Sequence, residues 1–516
     1  MMASLLSLRP CARINSRTGL LASSTHLLLS SGRLELASSL SLLRRPFSST
    51  TTRHLRTTEL QPSHFPSLKC QPDRLWNDIH STATFGTGRR YGKKPEQTGL
   101  SRLTLSDSDK QARDWFIETT KSLGCEVTID SIGNIFAIRP GLNNDAPSTF
   151  VGSHLDSQPL GGRFDGVLGV CAGIEMLRVL NDNWIETEGP VGVVNWTNEE
   201  GARFPISMMG SGVWAGARDL QATYDLQEVS SGPDGHQRTV KEELQRIDYL
   251  GTSPAQINAG GIKLAAHFEL HIEQGPRLLN LEKKVAAVTG VQAYKWFEVH
   301  VHGKACHSGT TPMELRADPL MFAVSTIAQA RKKAVEHGVL LSVGIIKAEP
   351  GSVNTVPDHV MYTLDIRAET DGQLAEFEEQ LKAYFQKALT SRHGAAKRFG
   401  APEAGLEVKE TFHSPATRFD DVAVGIVEDA SRNVLSLGED TEEAEVPRMI
   451  SGAGHDSVNT AGHCPTAMVF VPCRAGVSHH PEEWCEKEDC AVGTDVVVQS
   501  VLRFDRWRSE QGHFGA

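Results

Sequence analysis

Long apolar runs, paired cysteines and an excess of positive charge are all lacking in this sequence of 516 residues. No uninterrupted apolar stretch approaches the roughly 20 residues of a membrane-spanning helix, so we expect no membrane partner. The formal net charge of −11 at pH 7 argues against nucleic acid as the main ligand. The nine cysteines are scattered and none forms a CxxC pair, which argues against a disulfide framework or a cysteine-type zinc site. Any metal ion must therefore be held by histidines and carboxylates.

Acidic residues are almost missing from the first 57 residues. This segment contains eight Arg, no Lys or Asp, and a single acid, Glu35, so its formal charge is +7 in a chain that totals −11. An Arg- and Ser-rich, acid-poor N-terminus is typical of a mitochondrial transit peptide. We therefore predict that residues 1–57 are a disordered transit peptide and that the protein works in the mitochondrial matrix. A disordered extension without an address, on a cytoplasmic protein, is the alternative.

The chain after this segment alternates between buried-strand and helical patterns. Residues 148–153 and 191–196 are short apolar runs that predict buried strands, and the segment between them has helical spacing. Strands that alternate with helices indicate an α/β fold with a mostly parallel sheet. Ligands of such sheets bind beyond the carboxyl ends of the strands, which is where His154 and the pair Glu199 and Glu200 fall. These positions are the first indication of a functional site.

The pattern changes between residues 286 and 404. This segment predicts strands around a helix, then a further strand and an amphipathic helix at residues 371–389, which together indicate a smaller α+β domain. Buried-strand character returns at residues 467–472. We therefore predict a larger domain made of residues 70–285 and 405–510, interrupted by an inserted domain of residues 286–404.

Five segments are unusually rich in residues that bind metal ions. Each follows a predicted strand or lies in a Gly-rich turn, and they are residues 154–156, 161–166, 198–201, 267–275 and 476–481. Imidazole and carboxylate groups together suit zinc and similar divalent ions, and a carboxylate can bridge two of them. One such segment alone is weak evidence, because a single His or Glu at a strand end is more often a cap or a surface group. Five in one chain indicate a metal site.

The order and spacing of these segments, together with residues 130–134, resemble the M20-type metallopeptidase-related amidohydrolases. That family includes fungal-type β-alanine synthase, N-carbamoyl-L-amino-acid hydrolase and allantoate amidohydrolase, and the resemblance covers residues 70–510. It implies a catalytic domain with two divalent metal ions per subunit, interrupted by an inserted domain that pairs subunits and closes over the site as a lid. Zinc is the expected metal, and Mn or Co can replace it in such a ligand set.

The resemblance implies the metal ligands residue by residue. Asp165 would bridge the two ions, His154 and His271 would complete one site, and Glu200 and His479 would complete the other. The chemistry agrees with this arrangement, because a bridging carboxylate holds two cations about 3.5–4 Å apart and one water molecule between them becomes a nucleophile near neutral pH.

Residues beside these ligands have different expected roles. Glu199 would be the general base that takes the proton of the attacking water. His267 and His480 compete for the ligand positions, but they fall outside the family's His-Ile-Glu-Gln-Gly and Ser-His-x-Pro patterns, and we expect both to be structural. Asp156 is expected to orient His154 or its ion without binding the metal itself.

The remaining residues implied by the resemblance contact the substrate. His307 would reach the active site of the partner subunit and stabilise the oxyanion, and Asn354 would donate from its amide, so the protein would be at least a homodimer. Arg367 would clamp a substrate carboxylate with its planar fork; a surface or interface salt bridge is the alternative. Gln274 and His455 occupy matched substrate-contacting positions.

The expected reaction is hydrolysis of a ureido or carbamoyl C–N bond. An N-carbamoyl amino acid, either N-carbamoyl-β-alanine or an N-carbamoyl-L-α-amino acid, would give the amino acid, ammonia and carbon dioxide. Allantoate or ureidoglycolate is the first alternative substrate. A two-metal peptidase and a non-catalytic binding protein are further alternatives on the same fold. The non-catalytic alternative is disfavoured because every matched position keeps a chemically competent residue.

Overall fold

The structure is a computed structural model that describes residues 54–61, 63–231, 235–399, 405–437 and 445–513, without the side chains of 391–399. Its strands, in chain order, are β1 (Leu55–Arg56), β2 (Thr87–Arg90), β3 (Thr98–Leu100), β4 (Glu126–Ile129), β5 (Ile135–Arg139), β6 (Ser148–His154), β7 (Ile185–Glu186), β8 (Val191–Trp196), β9 (Leu264–Ile272), β10 (Ala286–Val291), β11 (Ala293–His302), β12 (Cys306–His307), β13 (Leu340–Ser342), β14 (Ile346–Glu349), β15 (Thr355–Val356), β16 (His359–Ala368), β17 (Gly405–Ser414), β18 (Thr417–Arg418), β19 (Arg448–Ser451) and β20 (Thr466–Val471).

The helices alternate with these strands through most of the described chain. In chain order they are α1 (Pro72–Thr82), α2 (Asp107–Ser122), α3 (Val167–Asp182), α4 (Met209–Trp214), α5 (Leu220–Tyr224), α6 (Val240–Arg246), α7 (Arg277–Asn280), α8 (Pro319–Glu336), α9 (Asp371–Phe399), α10 (Asp421–Val434), α11 (Ser457–Thr460) and α12 (Lys487–Glu510). Among the described helices none is both long and apolar enough to cross a bilayer.

The larger sheet has a parallel centre and antiparallel edges. Its strand order is β18-β10-β20-β9-β6-β8-β5-β4, with β19 paired to β10. Neighbours among β20, β9, β6 and β8 run parallel, whereas β8–β5, β5–β4, β10–β20 and β10–β18 are antiparallel. Parallel strands are normally covered on both faces, and every residue of β6, β8 and β20 is buried. The predicted α/β fold is confirmed, and the parallel part is the part that carries the site.

A smaller antiparallel sheet is built from a single stretch of chain between residues 293 and 414. Its order is β13-β16-β11-β17, with β14 also paired to β16. Burial alternates residue by residue along β16, because one face of the sheet packs against helices α8 and α9. The stripe predicted on α9 lies in this core, with Leu374, Phe377, Leu381 and Phe385 all buried.

The smaller sheet does not have the same bounds as the predicted inserted domain. Strand β10 begins at Ala286 but belongs to the larger sheet, and β17 begins at Gly405 but pairs with β11 of the smaller sheet. The smaller sheet therefore spans residues 293–414 where the sequence predicted 286–404. The local pattern of a strand shows that it is a strand, and its distant pairing partner decides which sheet it joins.

The predicted transit peptide lies mostly outside the described residues, but its last four positions, 54–57, are part of the fold. Strand β1 pairs in parallel with β7. Thr57 is 1% exposed, and its hydroxyl donates to the carboxylate of Asp505 in α12. A leader that is removed without damage to the fold therefore ends no later than residue 53.

Candidate active site

The ends of two parallel strands and a Gly-rich loop bring a buried cluster of imidazoles and a carboxylate together. His154 is the last residue of β6, and His271 lies one residue before the end of β9. Oδ1 of Asp165, in the loop before α3, is 3.6 Å from Nε2 of His154 and 3.2 Å from Nε2 of His271. All three side chains are 5% exposed or less. This trio can hold a metal ion.

The second oxygen of Asp165 faces a second cluster. Oδ2 of Asp165 is 3.3 Å from Nε2 of His479, which in turn is 3.4 Å from Oε2 of Glu200. The His479 side chain is half exposed, and its backbone has a φ of 53°, in the left-handed region. Asp165 thus has one oxygen for each cluster, as a bridging carboxylate requires. The structure brings together all five residues predicted as metal ligands.

Backbone carbonyls orient the two buried imidazoles. Nδ1 of His154 donates to the carbonyl of Asp156 at 3.0 Å, and Nδ1 of His271 donates to the carbonyl of Ile272 at 2.9 Å. A carbonyl can only accept, so Nδ1 of each ring carries a proton, and Nε2 is the ring nitrogen directed at Asp165. Nε2 is therefore the atom that each ring would offer to a metal ion, so the donor set fits divalent ions.

The Asp156 carboxylate supports a neighbouring turn more directly than it supports His154. Its two oxygens accept from the backbone N–H groups of Glu199 and Glu200, at 3.3 Å each. The Glu200 carboxylate is held separately by Gln158, whose Nε2 donates to Oε2 at 2.8 Å. Asp156 therefore fixes the direction in which both glutamates leave the end of β8, and Gln158 is a contact that the sequence patterns did not indicate.

Glu199 lies beside the first cluster without joining either trio. Its Oε2 is 3.6 Å from Nε2 of His154. Burial, together with the nearby carboxylates of Asp456 and Glu200, raises the pKa of Glu199 well above its usual range against the opposing effect of His154. For Asp165, contacts with histidines outweigh burial and hold the pKa well below its usual range. The opposite pKa shifts of the two carboxyls suit different roles: Glu199 suits a group that accepts a proton, and Asp165 suits a ligand that stays charged.

A cavity of about 240 Å³ joins these groups to the open face of the smaller sheet. Gln274, Arg367 and His455, all predicted to contact substrate, line it. Tyr294 and Trp296 of β11 line it too. The sequence analysis missed these two aromatic residues, although the alternation of β11 places even-numbered residues on the face away from the helices.

Gln274 is held with one polar atom free. Its Nε2 donates to Oδ2 of Asp165 at 2.9 Å and to Oγ of Ser478 at 3.2 Å. These acceptors fix the orientation of the amide, and Oε1 is buried with no hydrogen-bond partner among the residues that the structure describes. A buried acceptor in this position requires a donor, which a bound substrate can supply.

Arg367 forms an ion pair with Asp365 of its own strand and also lines the cavity. Its Nε and Nη2 donate to the two oxygens of Asp365 at 3.0 and 2.7 Å, and Nη1 donates to the carbonyl of Gly452 at 2.8 Å. The guanidinium also lies 4.9 Å from the ring centre of Tyr294. These contacts use three of its five N–H groups, so donors are left for an anion in the cavity.

His455 and His267 are both buried, and of the two His455 lines the cavity. His455 contacts Oγ of Ser451 at 2.9 Å and packs against the ring of His271, and burial lowers its pKa to about 3. His267 accepts from Nε1 of Trp196 at 3.3 Å, and burial lowers its pKa to about 4. Both rings are therefore neutral at pH 7.

The two histidines that compete for the ligand positions lie outside both trios that contain Asp165. His267 is buried against the ring of Trp196. His480 is exposed, and its Nδ1 accepts from the backbone N–H of Glu482 at 3.2 Å.

His307 and Asn354 come together, but away from the metal-ligand cluster. Strand β12 pairs with β15, and the backbone N–H of Ser308 donates to the carbonyl of Asn354 at 3.0 Å. Both side chains are exposed, and neither is among the described residues that line the cavity. Within one subunit the structure does not bring them to the site.

Comparison with known proteins identifies the family. A family model described as peptidase family M20/M25/M40 matches residues 150–503, which include all five predicted ligands. The chain belongs to the M20/M25/M40 family. This family member is 35% identical over 432 residues to the N-carbamoyl-L-amino-acid amidohydrolase of Rhizobium meliloti, a match that covers 83% of this chain and 95% of that protein.

Two further relatives of this M20/M25/M40 chain have different names. The ureidoglycolate hydrolase of Oryza sativa subsp. japonica is 30% identical over 419 residues, which cover 78% of this chain and 80% of that protein. A crystal structure of a hydantoinase/carbamoylase family amidase from Burkholderia multivorans has a TM-score of 0.73 at 37% identity, and the match covers 86% of this chain and 99% of the other. The similarity therefore extends over nearly the whole described chain.

Proposed function

We propose that this M20-family chain is a two-metal amidohydrolase that hydrolyses the carbamoyl C–N bond of N-carbamoyl amino acids. The observation that carries the proposal is the orientation of Asp165, whose oxygens face His154 and His271 on one side and His479 on the other. Relatives named N-carbamoyl-L-amino-acid amidohydrolase, at 31–35% identity over most of the chain, support the substrate class.

Two divalent ions suit this donor set, with zinc as the first candidate and Mn or Co as substitutes. His154, His271 and Asp165 would hold one ion, and Asp165, Glu200 and His479 the other. When bound, the ions supply Lewis acidity and lower the pKa of water to near 7.

Glu199 is the group that moves the proton in this proposal. Its raised pKa lets it accept a proton from the attacking water near neutral pH and return that proton to the leaving nitrogen. Its position outside both trios leaves its carboxylate available for this task.

Three residues would orient the substrate over the ligand cluster. Arg367 binds the substrate carboxylate with its remaining N–H groups. Oε1 of Gln274, which has no partner, accepts from an N–H of the ureido group. His455 lines the same cavity as a neutral imidazole.

We propose that the active assembly is a homodimer in which His307 and Asn354 complete the partner's site. Both are exposed beyond the cavity of their own subunit. The same smaller domain exposes large apolar side chains on α8 and on the edge strand β14, among them Met321 (57% exposed), Val335 (75%) and Ile346 (50%). Large apolar side chains exposed on an edge strand and on a helix are candidates for a protein–protein interface. Light scattering of the purified chain would test the oligomeric state.

Ammonia release from three compounds tests the proposed reaction. The full chain, loaded with Zn or Mn, is given N-carbamoyl-β-alanine, an N-carbamoyl-L-α-amino acid and allantoate. A dipeptide is the control, and its cleavage is followed by the release of free amino acids because it yields no ammonia. We expect ammonia from an N-carbamoyl amino acid, loss of activity on chelation, and recovery on metal addition. Cleavage of the dipeptide alone would contradict the proposal.

Allantoate or ureidoglycolate remains the second candidate substrate. The relative named ureidoglycolate hydrolase, at 30% identity, favours it. These compounds also carry a ureido group and a carboxylate, which the same Gln274 and Arg367 would bind. A higher kcat/KM for them than for every N-carbamoyl amino acid would replace the first candidate.

The mitochondrial matrix is the proposed location, on the composition of the N-terminus. A fluorescent protein fused to residues 1–53 should enter mitochondria. A fusion that stays in the cytosol would favour the cytoplasmic alternative.

A further inference from the structure

We propose that Glu483 is a positioning residue that sets the geometry of the metal centre by joining its two ligand-bearing loops. The inference rests on the proposed two-metal function, and it concerns a residue that is in neither trio around Asp165. Glu483 is 1% exposed and lies in the loop between β20 and α12. Both of its carboxylate oxygens are engaged by groups adjacent to predicted ligands.

The first oxygen holds the loop that carries the bridging carboxylate. Oε1 of Glu483 accepts from the backbone N–H groups of Phe164 and Asp165, at 3.0 Å each. Two backbone donors on one carboxylate oxygen fix the peptide plane from which the Asp165 side chain starts. The direction of Asp165 toward its histidines therefore depends on Glu483.

The second oxygen holds the loop that carries His479. Oε2 of Glu483 lies 2.8 Å from Oγ of Ser478, the residue before His479. The same hydroxyl lies 3.1 Å from Oδ2 of Asp165. The single hydroxyl proton of Ser478 is thus shared between the carboxylates of Glu483 and Asp165, which joins two segments more than 300 residues apart in sequence.

Close packing keeps the Glu483 carboxylate in this position. A Cβ atom built on Gly162 would lie 2.2 Å from the Glu483 side chain, so the loop can approach only because residue 162 has no side chain. The carboxylate has no room to turn away on that side. Buried groups that fix metal ligands commonly change metal affinity about 10- to 100-fold when they are removed.

Metal affinity of the purified full chain tests the role. Apoprotein of the wild type, Glu483→Ala and Glu483→Gln is titrated with Zn against a chelating dye, and Glu482→Ala, an exposed neighbour, is the matched control. We expect Glu483→Ala to bind at least one ion about 10- to 100-fold more weakly. Glu483→Gln should recover part of this loss, because its carbonyl still accepts from both backbone donors.

Steady-state kinetics separates positioning from direct catalysis. At saturating Zn, kcat of Glu483→Ala should return toward the wild-type value, since Glu483 does not line the cavity. Wild-type Zn affinity in folded Glu483→Ala overturns the inference. If that variant does not fold, the titration of Glu483→Gln and Ser478→Ala decides, and wild-type affinity in both overturns it. A wild-type chain that binds no Zn would instead contradict the proposed function.

Discussion

Substitution of Glu199 by Gln separates proton transfer from metal binding at this site. Glu199 is 8% exposed, and Oε2 is 3.6 Å from Nε2 of His154. Burial raises the pKa of this carboxyl well above its usual range, so the charged form is disfavoured in the metal-free fold. Gln has nearly the shape of Glu and carries no charge, so we expect the free energy of unfolding of the apoprotein to change by less than about 1 kcal/mol.

The expected effect on turnover is far larger. A positioned general base contributes about 10²- to 10⁴-fold in rate, which corresponds to roughly 3–5 kcal/mol of activation free energy. The assay is ammonia release at saturating substrate and metal, with metal content by mass spectrometry and thermal unfolding of the same samples. Glu199→Gln should keep two ions and lose turnover by that factor.

A neighbouring residue provides the control. Glu200→Gln should lose metal, because Glu200 is predicted as a ligand and lies 3.4 Å from His479. Turnover of Glu199→Gln within threefold of the wild type, with metal bound, would remove Glu199 from the mechanism. Loss of metal from Glu199→Gln would show that it is a ligand, and the proton would then need another acceptor.

Three further predictions concern substrate binding, assembly and pH. In the ammonia assay, Arg367→Lys should raise KM for N-carbamoyl amino acids by about 10- to 100-fold. Lys has no planar group that could bind Asp365 and a substrate carboxylate at the same time. An equal rise in KM for an uncharged amide analogue would show that Arg367 does not bind the substrate carboxylate. The variants His307→Ala and Glu199→Gln should each be inactive. When subunits of the two variants are mixed at random, half of the dimers contain one intact site, so about a quarter of the wild-type activity should return. No recovery would place His307 in the active site of its own subunit. Burial lowers the pKa of His267 from 6.5 to about 4, so between these pH values the unfolded chain binds a proton that the folded chain does not. The stability that neutral His267 contributes is complete above pH 6.5 and is lost as the pH falls toward 4. Between pH 7 and 4, the free energy of unfolding measured in urea should therefore fall by about 3 kcal/mol less for His267→Gln than for the wild type. An equal fall in both proteins would refute the lowered pKa of His267.

Several features of the site follow from sequence alone because they depend on local pattern and chemistry. An apolar run such as residues 191–196 predicts a buried strand, and polar residues directly after it predict a position at the edge of the sheet. In a parallel sheet these edges coincide, so His154, the Glu199–Glu200 pair and His271 could be expected to meet before any coordinates were considered. The resemblance to a known family then supplied the individual roles.

Only the tertiary structure decided features that depend on partners far away in the chain. The sequence analysis places residues 405–414 after the inserted segment, whereas the pairing of strand β17 with β11 makes them part of the smaller sheet. The hydrogen bonds of Glu483 to Asp165 and Ser478 leave no local pattern, since any buried Glu in a loop looks the same in sequence. The physical reason is the range of the interactions: the period of a strand is set by adjacent residues, whereas sheet membership and the orientation of a metal ligand are set by contacts that form only when distant segments pack together.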